Sequence, residues 1–324
     1  MPVGTVIIIS HNSAGHVESC LRSVGNQPDW DVVVVDNASR DETVDIARHV
    51  APHVRILANA ENRGFAAGVN QAAALAEGKV FLVLNPDTTA TGAALLSIAK
   101  AFADEKVGAA GGMLTTPAGA PERGFTVRRL PTLASAFAEV LLLNRAWPDN
   151  PLNRSYRCLD FDYSRAQEVE QPAGACLAIR RETFEDMGGF DENFFPVWFE
   201  DVDFCRRASD RGWKIVYCPD AVFVHAGGHS VTQIPFQQRQ AYWYRNLLLY
   251  FAKHHSRWEL GCLRAGVLMG LLLRSLLAAA GLRPRGVSLK QAVAAYLSVI
   301  WNYALTGRGL RASVSPSIIR SAAV

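Results

Sequence analysis

No Gly-x-Gly-x-x-Gly follows the first β-rich run of this 324-residue chain; Ser10-His11-Asn12 stands there instead. A dinucleotide-binding dehydrogenase needs that glycine turn to bring backbone up to a pyrophosphate, so this class is disfavoured. A glycine-rich loop with a Lys or Arg, which a sugar nucleotidyltransferase would carry at the same place, is missing too. The six cysteines (Cys20, Cys158, Cys176, Cys205, Cys218 and Cys262) form no C-x-x-C. Neither a zinc site nor a disulfide framework is indicated, and a reduced, cytosolic compartment fits. Residues 3–9 are apolar without a basic leader or cleavage site, so no signal peptide is read. Internal repeats and low-complexity segments are lacking as well.

What is present is 49% apolar residues, enough for the core of one large domain or two smaller ones. The chain is organised around residues 80–88, VFLVLNPDT. The apolar run is β-rich and too short for a free-standing helix, so it reads as a buried strand of a parallel sheet. Pro86 cannot continue the ladder, which sets Asp87 just past the strand's carboxyl end. Ligands of open α/β sheets collect at that edge. A carboxylate there can hold a hard divalent cation, and the cation a diphosphate. The plain alternative is a turn that starts the next helix.

The same logic predicts strands at 3–9, 31–35, 54–57, 107–110, 173–179, 214–218 and 222–224. Helices are expected at 15–24, at 41–50, from a polar loop at 59–68 through 76, and at 92–102. Ser39 and Glu42 have capping-box spacing for the second helix. Strands alternating with helices predict an α/β fold, a mostly parallel twisted sheet with helices on both faces. Residues 113–129 read as a hairpin or lid, 130–147 as an apolar helix, and 194–211 as containing a helix rich in acids.

Ser10, Asn12, Asp36 and Asp87 fall at strand ends, which in neighbouring parallel strands face one crevice. Asp36 suits a hydrogen bond to a base or ribose, or else caps a turn. Asn62-Arg63-Gly64-Phe65 is able to bring backbone amides and an Arg to phosphate, or is an ordinary glycine turn. In Trp198-Phe199-Glu200-Asp201-Val202-Asp203, Glu200 and Asp203 share a helix face while Asp201 points elsewhere. One carboxylate can then face a site while the others make structural pairs; a solvated helix start is the alternative. His225, at a strand end, is a candidate metal ligand or a structural histidine.

Taken in order, SHN, DNAS-x-D, N-R-G-F-A-x-G-x-N, LNPD, GACLAIRR, GGFDE-x-FF, FEDVDFC-x-R and VFVHAGGHS resemble the family 2 inverting glycosyltransferases. Within that family the chain looks most like the bacterial rhamnosyltransferase-type enzymes of surface-polysaccharide assembly, over about residues 3 to 250. The resemblance implies a GT-A-type nucleotide-diphospho-sugar transferase fold with a C-terminal helical extension. Its catalytic domain would span 1–238 (nucleotide-binding half about 1–112, acceptor-side half about 113–238), with the extension at 239–324. It implies donor binding by Ser10, Asn12, Asp36, Asn62, Arg63, Gly64, Asn85 and Asp87. Asp87 and His225 would hold Mg²⁺ or Mn²⁺, Asp201 would be the catalytic base, and Trp198 and Glu200 would lie on the acceptor side. Asn85 departs from the family's D-x-D: an amide can bind hydroxyls but offers the metal no charge. The Q-x-x-R-W of processive synthases is missing, because Gln238-Arg239-Gln240-Ala241-Tyr242-Trp243 has the wrong spacing, so a single addition is expected.

The implied reaction moves a sugar, rhamnose by resemblance, from a nucleoside-diphosphate sugar to a hydroxyl of a lipid-linked or polysaccharide acceptor. A non-catalytic sugar-nucleotide-binding protein and a sugar nucleotidyltransferase are the alternatives. From Arg239 onward twelve Lys/Arg meet a single acid, Glu259, so this stretch carries +11 and the rest −8. A basic, apolar tail on an acidic body suggests an anionic surface. Nucleic acid is disfavoured because the basic residues sit among long apolar stretches. Residues 240–256 read as an aromatic, basic helix; 265–273 and 291–305 are apolar but short of the ~20 residues that span a bilayer. Such segments suit helices lying in the interface, with an oligomer interface or a helical cap as alternatives. The expected location is cytoplasmic, peripheral on the inner face of the cell membrane.

Overall fold

The computed structural model describes residues 2–227, 233–308 and 310. The part of the VFVHAGGHS motif from Gly228 to Ser230 lies outside the described residues. In chain order the strands are β1 (Gly4–Ser10), β2 (Trp30–Asp36), β3 (Arg55–Ala58), β4 (Val80–Leu84), β5 (Thr88–Ala90), β6 (Val107–Thr115), β7 (Val127–Arg128), β8 (Gln167–Glu168), β9 (Gln171–Pro172), β10 (Cys176–Arg180) and β11 (Lys214–His225). The first helices are α1 (Val17–Val24), α2 (Thr43–Val50), α3 (Phe65–Leu75) and α4 (Ala94–Lys100). Then come α5 (Leu133–Val140), α6 (Leu143–Ala146), α7 (Pro151–Tyr156), α8 (Arg181–Asp186) and α9 (Glu200–Asp210). The C-terminal helices are α10 (Phe236–His254), α11 (Arg257–Ala279) and α12 (Leu289–Val299).

β1 is buried along its whole length, because its β-branched side chains feed two layers. Val6 and Ile8 pack with α1, α2 and α4 on one face, and Ile7 and Ile9 with α3, α8 and α9 on the other. Each such side chain contributes about 1.5–3 kcal/mol by burial. The sheet runs β3-β2-β1-β4-β10-β6-β11-β5, with β8 added on β11. Its first four strands are parallel, as is the β6–β11 pair. β10 is antiparallel to both β4 and β6, and β5 to β11. The sheet is therefore mixed, and the antiparallel strands bring Asp87 and His225 together.

Several local expectations shift. The capping box at Ser39 and Glu42 does not form: α2 starts at Thr43 without a side-chain cap, and the Ser39 hydroxyl bonds Asp36 instead. The strands expected at 214–218 and 222–224 are one strand with a register shift between Cys218 and Val222. The 130–147 helix breaks at Leu142, which is left-handed at φ 66°. Residues 113–115 extend β6, and the expected hairpin is an isolated Thr115–Pro121 bridge.

The apolar stretch expected at 265–273 belongs to a 23-residue helix, α11, opened by a Ser256/Glu259 capping box. Charge at Arg264 and Arg274 hid its length. Both side chains fold back onto backbone carbonyls, Arg264 Nε donating to Ala304 at 2.8 Å and Arg274 to Val140 and Glu139. Among the described residues α11 is the one helix long and apolar enough to cross a membrane. Its inner face (Leu263, Val267, Leu271) joins α10, α12 and, through Phe194, Phe199 and Val202, the start of α9 and the loop before it in one core.

Candidate active site

A cleft of about 810 Å³ opens along the carboxyl ends of β1 and β4. The loops after β1 and β2 form one side as a locked unit. His11 Nδ1 lies 2.8 Å from Asn37 O, Asn12 N donates to Ser39 Oγ at 2.7 Å, and Asn37 Nδ2 donates to Gly64 O at 3.0 Å. Ser10 and Asn12 line the cleft, and so do Asn62 and Asn85.

Asp36 does not line it. Its carboxylate is buried beneath the loop, accepting from Ser10 Oγ at 2.8 Å and Ser39 N at 2.8 Å, so it positions Ser10 from below. The Asn62–Phe65 turn is likewise directed inward. Gly64 N donates to Asn62 Oδ1, Phe65 N donates to Pro196 O, and Arg63 is exposed outside the lining. Gly64 sits at φ 85°, and a Cβ there would meet the Phe195 ring at 2.9 Å. The glycine serves the approach of two loops.

Asp87 and His225 meet at the cleft floor because His225 pairs with Thr88 across β5 and β11. Asp87 Oδ1 is buried without a hydrogen-bond partner, and His225 Nε2 stands 3.6 Å from it. The other imidazole nitrogen, Nδ1, is 2.8 Å from Glu122 Oε2, and Phe125 stacks flat on the ring at 5.1 Å. With the Nδ1 proton donated to Glu122, Nε2 presents its lone pair beside the orphaned oxygen. This donor set fits a hard divalent cation with two protein ligands. Among the described residues no group of three or more His, Cys, Asp or Glu converges.

Asp201 enters the cleft from the first turn of α9. Trp198 (φ 78°) and Phe199 (φ 73°) precede it in left-handed conformations, an arrangement that needs outside support. Asn246 of α10 supplies it, donating to the carbonyls of Val197 at 2.9 Å and Trp198 at 3.2 Å. Asp201 accepts from Val202 N at 2.8 Å and Gly174 N at 3.0 Å. A Cβ at Gly174 would stand 2.9 Å from Asp201 Oδ2 and push the carboxylate from its place.

Burial pushes the Asp201 carboxyl above its ordinary range, against the opposing pull of those two amides and of Arg128. Burial and the charge of Asp201 push neighbouring Glu200 well above its ordinary value. Asp203, on the far face, is a structural acid. Burial opposes its charge, but His254, Arg207 and Lys253 outweigh that and hold it at about 2. Of the expected site residues, Ser10, Asn12, Asn62, Asn85, Asp87, Trp198, Glu200, Asp201 and His225 thus line one cleft; Asp36, Arg63 and Gly64 do not.

Comparisons with known proteins agree with this architecture. Residues 5–187 match glycosyl transferase family 2, and residues 153–310 match glycosyl transferase family group 2. A similar relative is the N-acetylglucosaminyl-diphospho-decaprenol L-rhamnosyltransferase of Mycobacterium tuberculosis, 31% identical over 83% of this chain and 91% of its own. The rhamnosyltransferase WbbL of Escherichia coli K12 is 24% identical over 69% of this chain and 84% of its own. Among solved structures, a mannosyltransferase from Pyrobaculum calidifontis in complex with GDP-Man and Mn²⁺ superposes with a TM-score of 0.54 at 21% identity. That match covers 94% of this chain and 88% of the other, and shows the GT-A fold. The chain belongs to glycosyl transferase family 2. It is a glycosyltransferase that uses a nucleotide sugar as donor.

Proposed function

We propose that the chain catalyses a single, inverting, cation-assisted transfer of a sugar to a hydroxyl of a lipid-linked acceptor. The observation that carries this reading is the meeting of Asp87, His225 and Asp201 in one cleft. Rhamnose is favoured by two relatives named as rhamnosyltransferases, and a lipid-linked acceptor by the mycobacterial relative's diphospho-decaprenol substrate. Ser10, Asn12, Asn62 and Asn85 would hold the donor, with Asp36 positioning Ser10. Asp87 and His225 would hold Mg²⁺ or Mn²⁺; a solved neighbour carrying Mn²⁺ supports the second. Such a cation neutralises the charge that grows on a leaving diphosphate. Asp201 takes the proton of the acceptor hydroxyl, so that attack opposite the leaving group inverts the anomeric centre. The missing Q-x-x-R-W supports one addition per encounter. Release of nucleoside diphosphate from a panel of sugar nucleotides, with Mn²⁺ and a prenyl-diphosphate-linked sugar, tests the reading; no release from any donor would overturn it.

Glu122 would act on the cation through His225. Glu122→Gln keeps the hydrogen bond but removes the charge behind the imidazole, and should weaken Mn²⁺ binding by about 10- to 100-fold. Electron paramagnetic resonance of free Mn²⁺ during titration reads this directly, and equal binding by wild type and variant would remove Glu122 from the role.

Contact with the membrane surface is proposed for the outer face of α11. Trp258, Met269, Leu272, Leu273 and Leu276 are exposed there at spacings that share one helix face, and Trp301 is exposed on the π-helical turn after α12. The six free cysteines and a nucleotide-sugar donor favour the cytoplasmic side. Truncating the chain before α11 would strip apolar cover from α10, so surface substitutions are the cleaner test. Leu272→Glu with Leu276→Glu should reduce sedimentation with anionic vesicles about tenfold or more, without lowering the unfolding temperature. Unchanged sedimentation would argue against this face.

A further inference from the structure

Arg128 and Arg157 line the cleft on the side of Asp201. Arg128, on β7, lies over the Phe125 ring at 5.4 Å and donates Nε to Gly124 O at 2.8 Å. It makes no ion pair among the described residues. Arg157, following α7, donates Nε to Asn153 Oδ1 at 3.0 Å and stands 4.0 Å from the Glu139 carboxylate, which Asn144 also engages at 2.9 Å. Tyr156, also lining the cleft, lies within electrostatic reach of both arginines. Planar guanidinium forks suit the oxygens of a phosphate.

A second observation gives this wall a direction. α5 carries Glu139 on the cleft side, while Phe137 and Val140 of the same helix press against Gly266 and Gly270 of α11. A Cβ at either glycine would stand within 2.5 Å of its neighbour, so the two helices are in closest contact there. The arginine wall is thus one helix removed from α11, whose outer face is the exposed apolar stripe.

We propose that Arg128 and Arg157 form a subsite for the phosphate of an anionic, lipid-linked saccharide acceptor, whose hydrocarbon chain leaves past α5 toward α11. The acceptor's role rests on the glycosyltransferase reading above; the binding itself does not. The full-length protein is titrated calorimetrically with farnesyl diphosphate, inorganic diphosphate and a nucleoside diphosphate with Mn²⁺. The same acceptor sugar is then assayed as a prenyl diphosphate conjugate and as an uncharged alkyl glycoside.

Farnesyl diphosphate should bind more tightly than inorganic diphosphate. Arg128→Gln and Arg157→Gln should each weaken it by about tenfold or more. Arg157→Gln should raise KM for the prenyl-diphosphate acceptor alone, with Arg→Lys recovering part of the loss; Arg128→Gln also removes a charge that favours ionised Asp201, so it should act on both acceptors but raise KM more for the prenyl diphosphate. Nucleoside diphosphate affinity and the unfolding temperature should stay at wild-type values. Loss of nucleoside diphosphate affinity would move the arginines to the donor, and equal losses on both acceptors would make their role structural. Equal binding of inorganic and farnesyl diphosphate would reduce the wall to a general anion site. Any of these three overturns the proposal. Farnesyl diphosphate binding that depends on both arginines, without turnover on any donor, would sink the transferase reading and leave the subsite standing.

Discussion

Asp201→Asn should lower turnover by ~10²–10⁴-fold while leaving the dissociation constant for the nucleotide sugar unchanged. The amide keeps the shape of the side chain and its one oxygen can still accept from Gly174 N, while Val202 N gives up its side-chain acceptor. What it loses is the capacity to take a proton. Desolvation raises the wild-type carboxyl above the ordinary Asp range, which makes it a better base once ionised. The sign follows: kcat/KM falls as pH drops through that raised value, so the acid limb should lie above where an exposed aspartate titrates. The variant should lose that limb along with the rate. Rapid-quench measurement of transfer together with equilibrium donor binding checks both halves. Near-normal turnover in the Asn variant would remove Asp201 from the role.

Asp87→Ala should abolish cation-dependent donor binding altogether. Among the described residues two side chains converge on the proposed cation, so losing Asp87 leaves His225 alone of that pair. The substitution also deletes a buried oxygen that no hydrogen bond satisfies, so folding should tolerate it well. The comparison is calorimetric titration of nucleoside diphosphate, with Mn²⁺ and with EDTA. Wild type should bind with Mn²⁺ and poorly with EDTA, whereas the variant should bind poorly in both. An alanine variant that retains the difference would place the cation elsewhere.

The sheet and the position of Asp87 were legible because an uninterrupted apolar run ending in Asn-Pro-Asp permits few structures. Strand direction was not, because β10 has the same apolar pattern whether parallel or antiparallel, and only its pairing with β4 decides. A place at a strand end points Asp36 to the crevice; the hydroxyls that turn it inward come from Ser10 on another strand and Ser39 in the following loop. Glu122 and Phe125 lie in a stretch with no periodicity, and their contact with His225 crosses about a hundred residues of chain. The only local hint is the punctuation of Pro121 and Gly124. Asn246 was hidden in the same way, as one polar residue on a helix read for its aromatics and charges. α11 was read short because a charged residue counts against an apolar run, and sequence does not reveal that Arg264 and Arg274 fold back onto carbonyls.

In the proposed reaction one cleft places a cation site and a proton acceptor around the same bond. A crystal structure with an unhydrolysed sugar nucleotide and Mn²⁺ tests it most directly. Mn²⁺ should be found held by Asp87 and His225 together with the diphosphate, and the anomeric carbon should face Asp201. A diphosphate bound away from Asp87, or a sugar whose anomeric carbon faces away from Asp201, would contradict it.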